Sequence, residues 1–179
     1  MKFHDYETKH IALYREFCGT VRDILAKAIS AAGLPRPQSM QCRPKEPKKL
    51  RARLEQEGAL EADNIEILRR DLAGARIIFY TNTDVDRFIG SRLIFDNFEV
   101  ETDGIKIHHP TAENDEGQYR GIHYTIRLRD DRTKLPEYAK FKDLRCEVQV
   151  QTILHHAWSE TPTIFSIRTK RVKDLAQGQ

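Results

Sequence analysis

Two carboxylates in this chain stand where they could hold a metal ion. Asp71 lies just before a β-branched and aromatic segment that begins at Ala75, and Glu147 lies on the polar face of an alternating segment, 144–151. If these two predicted strands are neighbours, the carboxylates can share one Mg²⁺, which prefers one or two carboxylates together with waters and substrate phosphates. The competing interpretation is a capping aspartate and an exposed strand glutamate.

A basic segment supplies charges that phosphates would need. Between Arg36 and Arg53 the sequence has seven basic residues and one acid, although the net charge of the whole chain is only +3. Arg43 and Lys45 alternate within a proline-containing stretch, and alternate cations on an extended segment can line one side of a phosphate chain. This excess favours a polyanionic partner, while a solvated basic linker is the alternative.

An aromatic ring and an imidazole lie at the start of another alternating segment. Tyr119 is placed to stack on a base. His123 faces opposite Ile122, so it is not simply a core histidine. The adjacent histidine pairs at 108–109 and 155–156 do not predict a zinc site, because adjacent residues on a helix do not share a face.

The composition predicts an ordinary globular chain. Its 179 residues allow one domain, with 39% hydrophobic and 32% charged residues. No apolar run approaches the roughly 20 residues that a membrane-spanning helix needs. The N-terminus has no signal-peptide pattern, and three widely spaced cysteines without CxxC argue against a disulfide scaffold or a cysteine zinc site. We therefore expect a cytoplasmic protein with no membrane partner.

Hydrophobic periodicity and turn residues divide the chain into helices and strands. The predicted elements are a helix over 3–32, an irregular or extended linker over 34–47, helices over 48–57 and 61–70, a strand over 75–80, a helix over 85–94 capped by Thr83 and Asp84, a short strand over 97–101, a polar loop over 102–118, strands over 122–129 and 144–151, and a helix from Thr152. This order predicts an α/β (α+β) chain with a mixed sheet of four or five strands and helices packed on it.

Four sequence patterns, taken together, resemble the synthetase domain of the RelA/SpoT family, the alarmone pyrophosphokinases. The patterns are RPKEPKKL at 43–50, DLAGARII at 71–78, YRGIH at 119–123, and EVQVQT at 147–152 followed by AWSE at 157–160. They occur in the family's order and cover about residues 40–160. The resemblance is greatest to the small single-domain synthetases and their toxic relatives.

The resemblance implies a nucleotidyltransferase-like fold and Mg²⁺-dependent transfer of pyrophosphate from ATP to the ribose 3′-hydroxyl of a guanine nucleotide, GDP or GTP. It also implies a homo-oligomer. By motif position it assigns Arg43, Lys45, Lys49 and Arg76 to the ATP phosphates, Asp71 and Glu147 to Mg²⁺ and catalysis, Tyr119 to the acceptor base, and His123 to the acceptor's phosphates or sugar. Glu147 is expected to be a better metal ligand than base, because a carboxylate near Mg²⁺ has a depressed pKa.

Three departures from the family pattern concern the acceptor. Gln151 stands where the family has an arginine, Gln118 stands where a glycine precedes the tyrosine, and the segment 113–116 is acidic where many members have a lysine. A weaker positive field disfavours a polyphosphorylated acceptor. The alternatives are therefore a toxin that modifies the tRNA 3′ end or an adenine nucleotide, and a weak or inactive nucleotide- or RNA-binding module.

The C-terminal segment also departs from the family. We predict an N-terminal helix over 1–35, the synthetase domain over 36–162, and an atypical tail over 163–179. Inserting one C before the codon of Thr163 allows residues 163–170 to be re-read as the family's usual continuation. The hypothesis is that the tail is out of frame, and a divergent C-terminus is the alternative.

Overall fold

The computed structural model describes residues 1–108 and 121–160, which form a mixed sheet flanked by helices. The strands are β1 (Ser39–Pro44), β2 (Ala73–Phe79), β3 (Phe98–His108), β4 (Gly121–Leu128) and β5 (Cys146–Thr152). Their order in the sheet is β1-β2-β5-β4-β3. Only β2 and β5 pair in parallel, and the other three pairs are antiparallel. The predicted fold class, with about five strands, is confirmed.

The helices lie mostly outside the strand-rich second half of the chain. They are α1 (Phe3–Asp5), a π-helical turn (Tyr6–His10), α2 (Ile11–Ala31), α3 (Pro47–Gln56), α4 (Ile65–Leu68), α5 (Asn82–Gly90), α6 (Leu93–Asn97), α7 (Asp130–Thr133), α8 (Pro136–Ala139) and α9 (Ile153–Glu160). The first three are continuous, so the predicted N-terminal helix is confirmed. No helix among the described residues is long and apolar enough to cross a membrane.

The long helix α2 covers one face of the sheet. Tyr14, Phe17, Val21 and Leu25 recur at three- and four-residue steps and are all buried, so they form one apolar stripe. The helix ends at Gly33, whose φ of 61° lies in the left-handed region that favours glycine. The other face of the sheet is thereby left to the polar side chains.

Alternation along β2 and β5 separates the core from the polar face. The side chains of Ala73, Ala75, Ile77, Cys146, Val148 and Val150 are buried in the core. On the opposite face, the parallel register pairs Gly74 with Glu147 and Arg76 with Gln149. Because side chains alternate between the faces of a strand, Glu147, Gln149 and Arg76 project together.

The three cysteines, distant in sequence, meet in this core. The thiol of Cys42 interacts with both Cys146 and Cys18, and all three cysteines are free. The contact with Cys42 and burial raise the pKa of the Cys18 thiol. The spacing in sequence gave no sign of this cluster.

The prediction of an irregular linker or extended loop over 34–47 is wrong for residues 39–44. Residues Ser39–Pro44 form β1, an edge strand paired antiparallel to β2. The prolines that suggested a linker lie outside the strand or, as Pro44, at its last residue. Proline is tolerated on an edge strand, because its missing N–H removes no bond from a neighbouring strand.

The predicted helix over 61–70 is shortened to α4. The N-terminal ammonium of Met1 donates to the carbonyl of Asp63 at 2.6 Å, and the Ile65 N–H donates to the Met1 carbonyl at 3.1 Å. Asn64, at φ −138°, is not helical. The chain terminus therefore occupies backbone groups that a longer helix would use.

The predictions for the next three elements also need correction. The cap of α5 is Thr81, whose side chain accepts from the Asp84 N–H at 3.1 Å, rather than Thr83 or Asp84. The helix predicted to run to Ile94 breaks at Arg92, which has a φ of 58°. The strand predicted over 97–101 extends to His108, so the first part of the predicted polar loop is a strand.

Candidate active site

A cavity of about 290 Å³, here called the β1 cavity, lies where β1, β2, β5 and the start of α3 meet. It is lined by Gln41, Arg43, Pro44, Lys45, Glu46, Lys49, Asp71, Gly74, Ala75, Arg76, Glu147 and Gln149. The structure thus brings together both predicted metal ligands and all four predicted phosphate-binding cations. Their assigned roles stay predictions.

The extended conformation of β1 presents its cations on one side. Gln41 and Arg43 alternate with Met40 and Cys42, which pack against the core. Gln41, Arg43 and Lys45 all line the β1 cavity. Helix α3 then begins, with Glu46 as its N-cap and Pro47 in its first turn. This sharp change of direction places Lys49 on the same cavity, where its ammonium lies 3.7 Å from the Glu46 carboxylate.

Lys45 connects the basic segment to the first carboxylate. Its ammonium contacts the Asp71 carboxylate, and both side chains are about two-thirds buried. The backbone holds this pair in place, because the Lys45 N–H donates to the Leu72 carbonyl at 2.8 Å. Tyr6, in the π-helical turn, donates its hydroxyl to the Lys45 carbonyl at 2.6 Å. The N-terminal helix therefore supports the site.

A chain of hydrogen bonds joins Arg76 to the second carboxylate through Gln149. The Arg76 Nε donates to Gln149 Oε1 at 3.0 Å, and Gln149 Nε2 donates to Glu147 Oε2 at 2.7 Å. Gln149 was not among the predicted site residues. Its alternation with Glu147 on the polar face of β5 was the signal that could have identified it.

Glu147 is held in its charged form. His123 Nδ1 lies 3.5 Å from Glu147 Oε1. Hydrogen bonding with His123, then with Gln149, lowers the pKa of the Glu147 carboxyl to about 2, although its burial opposes the shift. The carboxylate is therefore ionised at neutral pH, which suits a metal ligand better than a general base.

A second cavity, here called the β3 cavity, lies on the other side of the two carboxylates and measures about 330 Å³. Its lining residues are Leu68, Arg69, Arg70, Asp71, Asp103, Gly104, Lys106, Thr125 and Glu147. Asp71 and Glu147 thus belong to both cavities. Neither Lys106 nor Arg70 was predicted as a site residue. The strand that carries Lys106 was predicted to be a loop, and Arg70 was placed at the end of a predicted helix.

The donor set fits Mg²⁺ only together with a phosphate-bearing ligand. Among residues 1–108 and 121–160, no group of three His, Cys, Asp or Glu side chains could hold a metal. Two carboxylates on one cavity with cations predicted to bind phosphate match what Mg²⁺ uses, because it completes its shell with waters and substrate phosphates. Asp71 and Glu147 are the residues that would hold it.

Some predicted features lie outside the described residues, and Gln151 lies outside both cavities. Tyr119, Gln118, the acidic segment 113–116 and the tail 163–179 lie outside the described residues. Gln151 is buried, lines neither of the two cavities, and lies with Nε2 at 3.3 Å from Nδ1 of His156. The position where the family has an arginine is therefore covered by α9 in this chain.

Comparison with known proteins gives a family and a set of similar folds. Residues 42–174 match the model described as "Region found in RelA / SpoT proteins", which extends past the predicted boundary at 162. No curated protein sequence matches the chain.

Among solved structures, the fold is similar to those of small synthetases. Small alarmone synthetase 1 from Bacillus subtilis bound to its product pppGpp is 16% identical, with a TM-score of 0.67 over 93% of this chain and 82% of that one. The same protein bound to AMPCPP is 15% identical, with a TM-score of 0.64 over 97% and 91%. A GTP pyrophosphokinase family protein from Streptococcus pneumoniae is 17% identical, with a TM-score of 0.61 over 96% and 79%. At these identities the likeness concerns the fold alone.

Proposed function

We propose a function from one premise: this chain belongs to the RelA/SpoT family. We infer that it is a Mg²⁺-dependent pyrophosphokinase, which transfers pyrophosphate from ATP to the ribose 3′-hydroxyl of a guanine nucleotide. The observation that carries this proposal is the cavity shared by Asp71, Glu147 and four phosphate-binding cations. Similar folds named as bound to pppGpp and AMPCPP support nucleotides as the ligands.

In this proposal the two cavities take the two substrates. The triphosphate of ATP lies in the β1 cavity, where Arg43, Lys49 and Arg76 neutralise its charge. The acceptor ribose enters the β3 cavity, so that its 3′-hydroxyl reaches the carboxylates that both cavities share. Such transfer depends on positioning and charge neutralisation more than on covalent catalysis.

The reaction forms one bond and breaks one. The 3′-oxygen of the acceptor attacks the β-phosphorus of ATP, the bond from that phosphorus to the bridging oxygen of the α-phosphate breaks, and AMP leaves. The hydroxyl proton passes to water. Bound Mg²⁺ would neutralise charge on the transferring phosphates. Asp71 and Glu147 would hold this ion, and Lys45, which contacts Asp71 in this structure, lies on the same cavity to bind phosphate.

The test is transfer of label from γ-labelled ATP in the presence of Mg²⁺. GDP, GTP, AMP, ADP and bulk tRNA are offered separately, and the expected product is labelled guanine tetra- or pentaphosphate. The control is Glu147→Gln, which keeps the shape of the side chain and removes its charge. We expect this variant to lose most of the label transfer, because it removes the charge of a proposed Mg²⁺ ligand.

Three results would change the proposal. Label on tRNA, with none on GDP or GTP, would replace the guanine nucleotide by an RNA acceptor. Label on AMP or ADP would make the acceptor an adenine nucleotide. No label on any acceptor from folded wild-type protein, with ATP still bound, would overturn the proposal and indicate a nucleotide-binding module.

A further inference from the structure

One buried carboxylate outside both cavities binds two arginines. The side chain of Glu101, on β3, is only 12% exposed. Its Oε1 accepts from Arg145 Nε at 2.5 Å, and its Oε2 lies 3.4 Å from Arg70 Nη1. Each carboxylate oxygen therefore has its own guanidinium, an arrangement that restricts direction as well as distance.

The two arginines are adjacent in sequence to the two candidate metal ligands. Arg70 directly precedes Asp71. Arg145 precedes Glu147 by two residues, and residues two apart on an extended chain lie on the same face. Through these arginines, Glu101 connects the segment that enters β2 with the segment that enters β5.

A bulge in β3 brings Glu101 to this position. Val100 pairs with Ile126 and Ile105 pairs with Tyr124, so residues 101–104 of β3 lie opposite Thr125 alone. Bulges bend a strand and change the aim of its side chains. Asp103 and Gly104, within this bulge, line the β3 cavity.

Further contacts hold the arginines at their outer ends. Arg145 Nη1 donates to the Glu66 carbonyl at 3.4 Å, and Arg70 Nη2 lies 2.8 Å from Asp103 Oδ2. Each guanidinium is therefore held at two points, with Glu101 between them. A change at Glu101 acts on both segments at once, whereas a change at either outer contact acts on one.

We propose that Glu101 is a positioning residue that sets the separation of the Asp71 and Glu147 carboxylates for binding a divalent cation. This inference rests on the proposed function, which assigns the metal to those two residues. Glu101 itself lines neither cavity, so its effect passes through Arg70 and Arg145. Partners that orient metal ligands typically contribute about 10- to 100-fold to metal affinity or activity.

The test is Mn²⁺ affinity, measured by electron paramagnetic resonance on the full chain with a non-hydrolysable ATP analogue. For Glu101→Gln we expect binding weakened by about tenfold. In steady-state transfer we expect kcat to fall at saturating substrates, with the KM for ATP within twofold of wild type. If Glu101 were needed only for folding, Glu101→Gln would lower the melting temperature. It would not lower kcat selectively while the KM for ATP stayed the same.

The chain offers a matched control. Glu99 lies two residues away on the same strand and binds one arginine, with Arg127 Nη2 at 2.6 Å from its Oε1. That pair reaches neither Asp71 nor Glu147. Glu99→Gln is expected to keep both Mn²⁺ affinity and kcat.

A second variant covers the case in which Glu101→Gln does not fold. Arg70 is 43% exposed, so Arg70→Lys keeps the charge at a tolerant position and loses the two-point contact. It is expected to weaken Mn²⁺ binding several-fold. Wild-type Mn²⁺ affinity in both Glu101→Gln and Arg70→Lys would overturn the proposal, as would absence of Mn²⁺ binding by wild type.

The metal readout also separates this inference from the proposed function. If wild type binds Mn²⁺ but transfers no pyrophosphate, the proposed function fails while the role of Glu101 is still decided by affinity. If transfer occurs and the variants match wild type, the inference alone fails.

Discussion

The two cavities on either side of Asp71 and Glu147 are built in different ways. The β1 cavity uses a regular edge strand, and its Arg43 makes no ion pair within the described residues. In the β3 cavity the arginines are neutralised, with Arg69 2.8 Å from Glu57 and Arg70 bound to Glu101 and Asp103. The arginines of the β3 cavity are therefore paired, and Lys106, which lies outside these ion pairs, supplies its remaining positive charge. The β1 cavity has Arg43 outside any such pair and three further cations on its lining.

This difference indicates that similar residue types do different work. An exposed cation that faces a cavity without a partner can bind a polyanion, whereas an arginine held by two carboxylates mainly fixes geometry. The β1 cavity is therefore suited to the triphosphate, and the β3 cavity to the less charged ribose end of the acceptor. Variants that act on only one cavity test this division.

The largest effect confined to one side is expected from Arg43→Gln. Hydrogen bonds to charged groups contribute about 1.5–3 kcal/mol, so the KM for ATP should rise about 10- to 100-fold. The KM for the acceptor and the melting temperature should not change, because Arg43 is exposed and contacts only the β1 cavity. Steady-state kinetics with each substrate varied in turn measures both constants.

Arg36→Gln is the matched control for this prediction. Arg36 belongs to the same basic segment and is also exposed, but it does not line the β1 cavity. An equal rise in the KM for ATP in both variants would show that the field of the whole segment matters, and not the position of Arg43. The contrast between the two cavities would then lose its basis.

On the β3 side, Gly104→Ala should destabilise the bulge. An added Cβ would lie 2.6 Å from the Thr125 Cβ and 3.1 Å from the Glu101 Cβ. Overpacking of this kind typically costs about 1–3 kcal/mol in the free energy of unfolding. Thermal melting should show a decrease of several degrees, and the KM for the acceptor should rise more than the KM for ATP.

The control for Gly104 is Gly90→Ala, at the end of α5. No atom lies within 4 Å of the Cβ that this substitution would add. Its melting temperature should equal or exceed that of wild type, because alanine restricts the unfolded chain. If both glycine variants behave alike, close approach to Thr125 does not limit the β3 strand.

The same contrast explains what the sequence could predict. Arg43 and Lys45 alternate within a recognisable pattern, and Gln149 and Glu147 alternate on β5, so the β1 cavity follows from the periodicity of regular strands. Four of the five strands and the mixed character of the sheet also followed from the order of elements. The long N-terminal helix was evident from its apolar spacing.

The β3 cavity did not follow from the sequence. A bulge interrupts alternation, so the polar residues from 102 onward indicated a loop where the chain continues as a strand. Glu101 meets Arg70 and Arg145 only after three segments have come together, and no local pattern encodes such a contact. The edge strand β1 was also missed. It has only six residues, and the prolines around it indicated a linker.

A smaller effect on the β1 side is expected from Tyr6→Phe. The Tyr6 hydroxyl donates to the Lys45 carbonyl at 2.6 Å, and the ring is fully buried. Removing the hydroxyl leaves this carbonyl without that donor, which costs about 1–2 kcal/mol in the free energy of unfolding. Urea unfolding measures the loss.

Tyr14→Phe is the comparison for Tyr6. Tyr14 is also buried and lies against Tyr6 with ring centroids 5.5 Å apart. It is farther along the helix and does not contact Lys45. Transfer activity should therefore decrease in Tyr6→Phe and stay at the wild-type level in Tyr14→Phe. An equal decrease would indicate that the aromatic pair, and not the bond to Lys45, supports the site.

The smallest effect is expected from Asp103→Asn, which makes the β3 cavity more like the β1 cavity. Asp103 is exposed, and hydrogen bonding from Arg70 lowers the pKa of its carboxyl. Removing its charge leaves Arg70 bound to Glu101 but able to attract a phosphate of the acceptor. Because exposed ion pairs contribute little, the KM for GTP should fall only about two- to fivefold.

The control is Asp63→Asn, at an exposed aspartate 3.3 Å from Lys2, which should have no effect. The decrease should be larger for GTP than for GDP and should shrink at high salt, since only the charge of the acceptor distinguishes the two nucleotides at this position. Equal changes for both nucleotides would mean that Asp103 acts on the shape of the bulge. The ion pair between Asp103 and Arg70 would then not determine how strongly a charged acceptor binds.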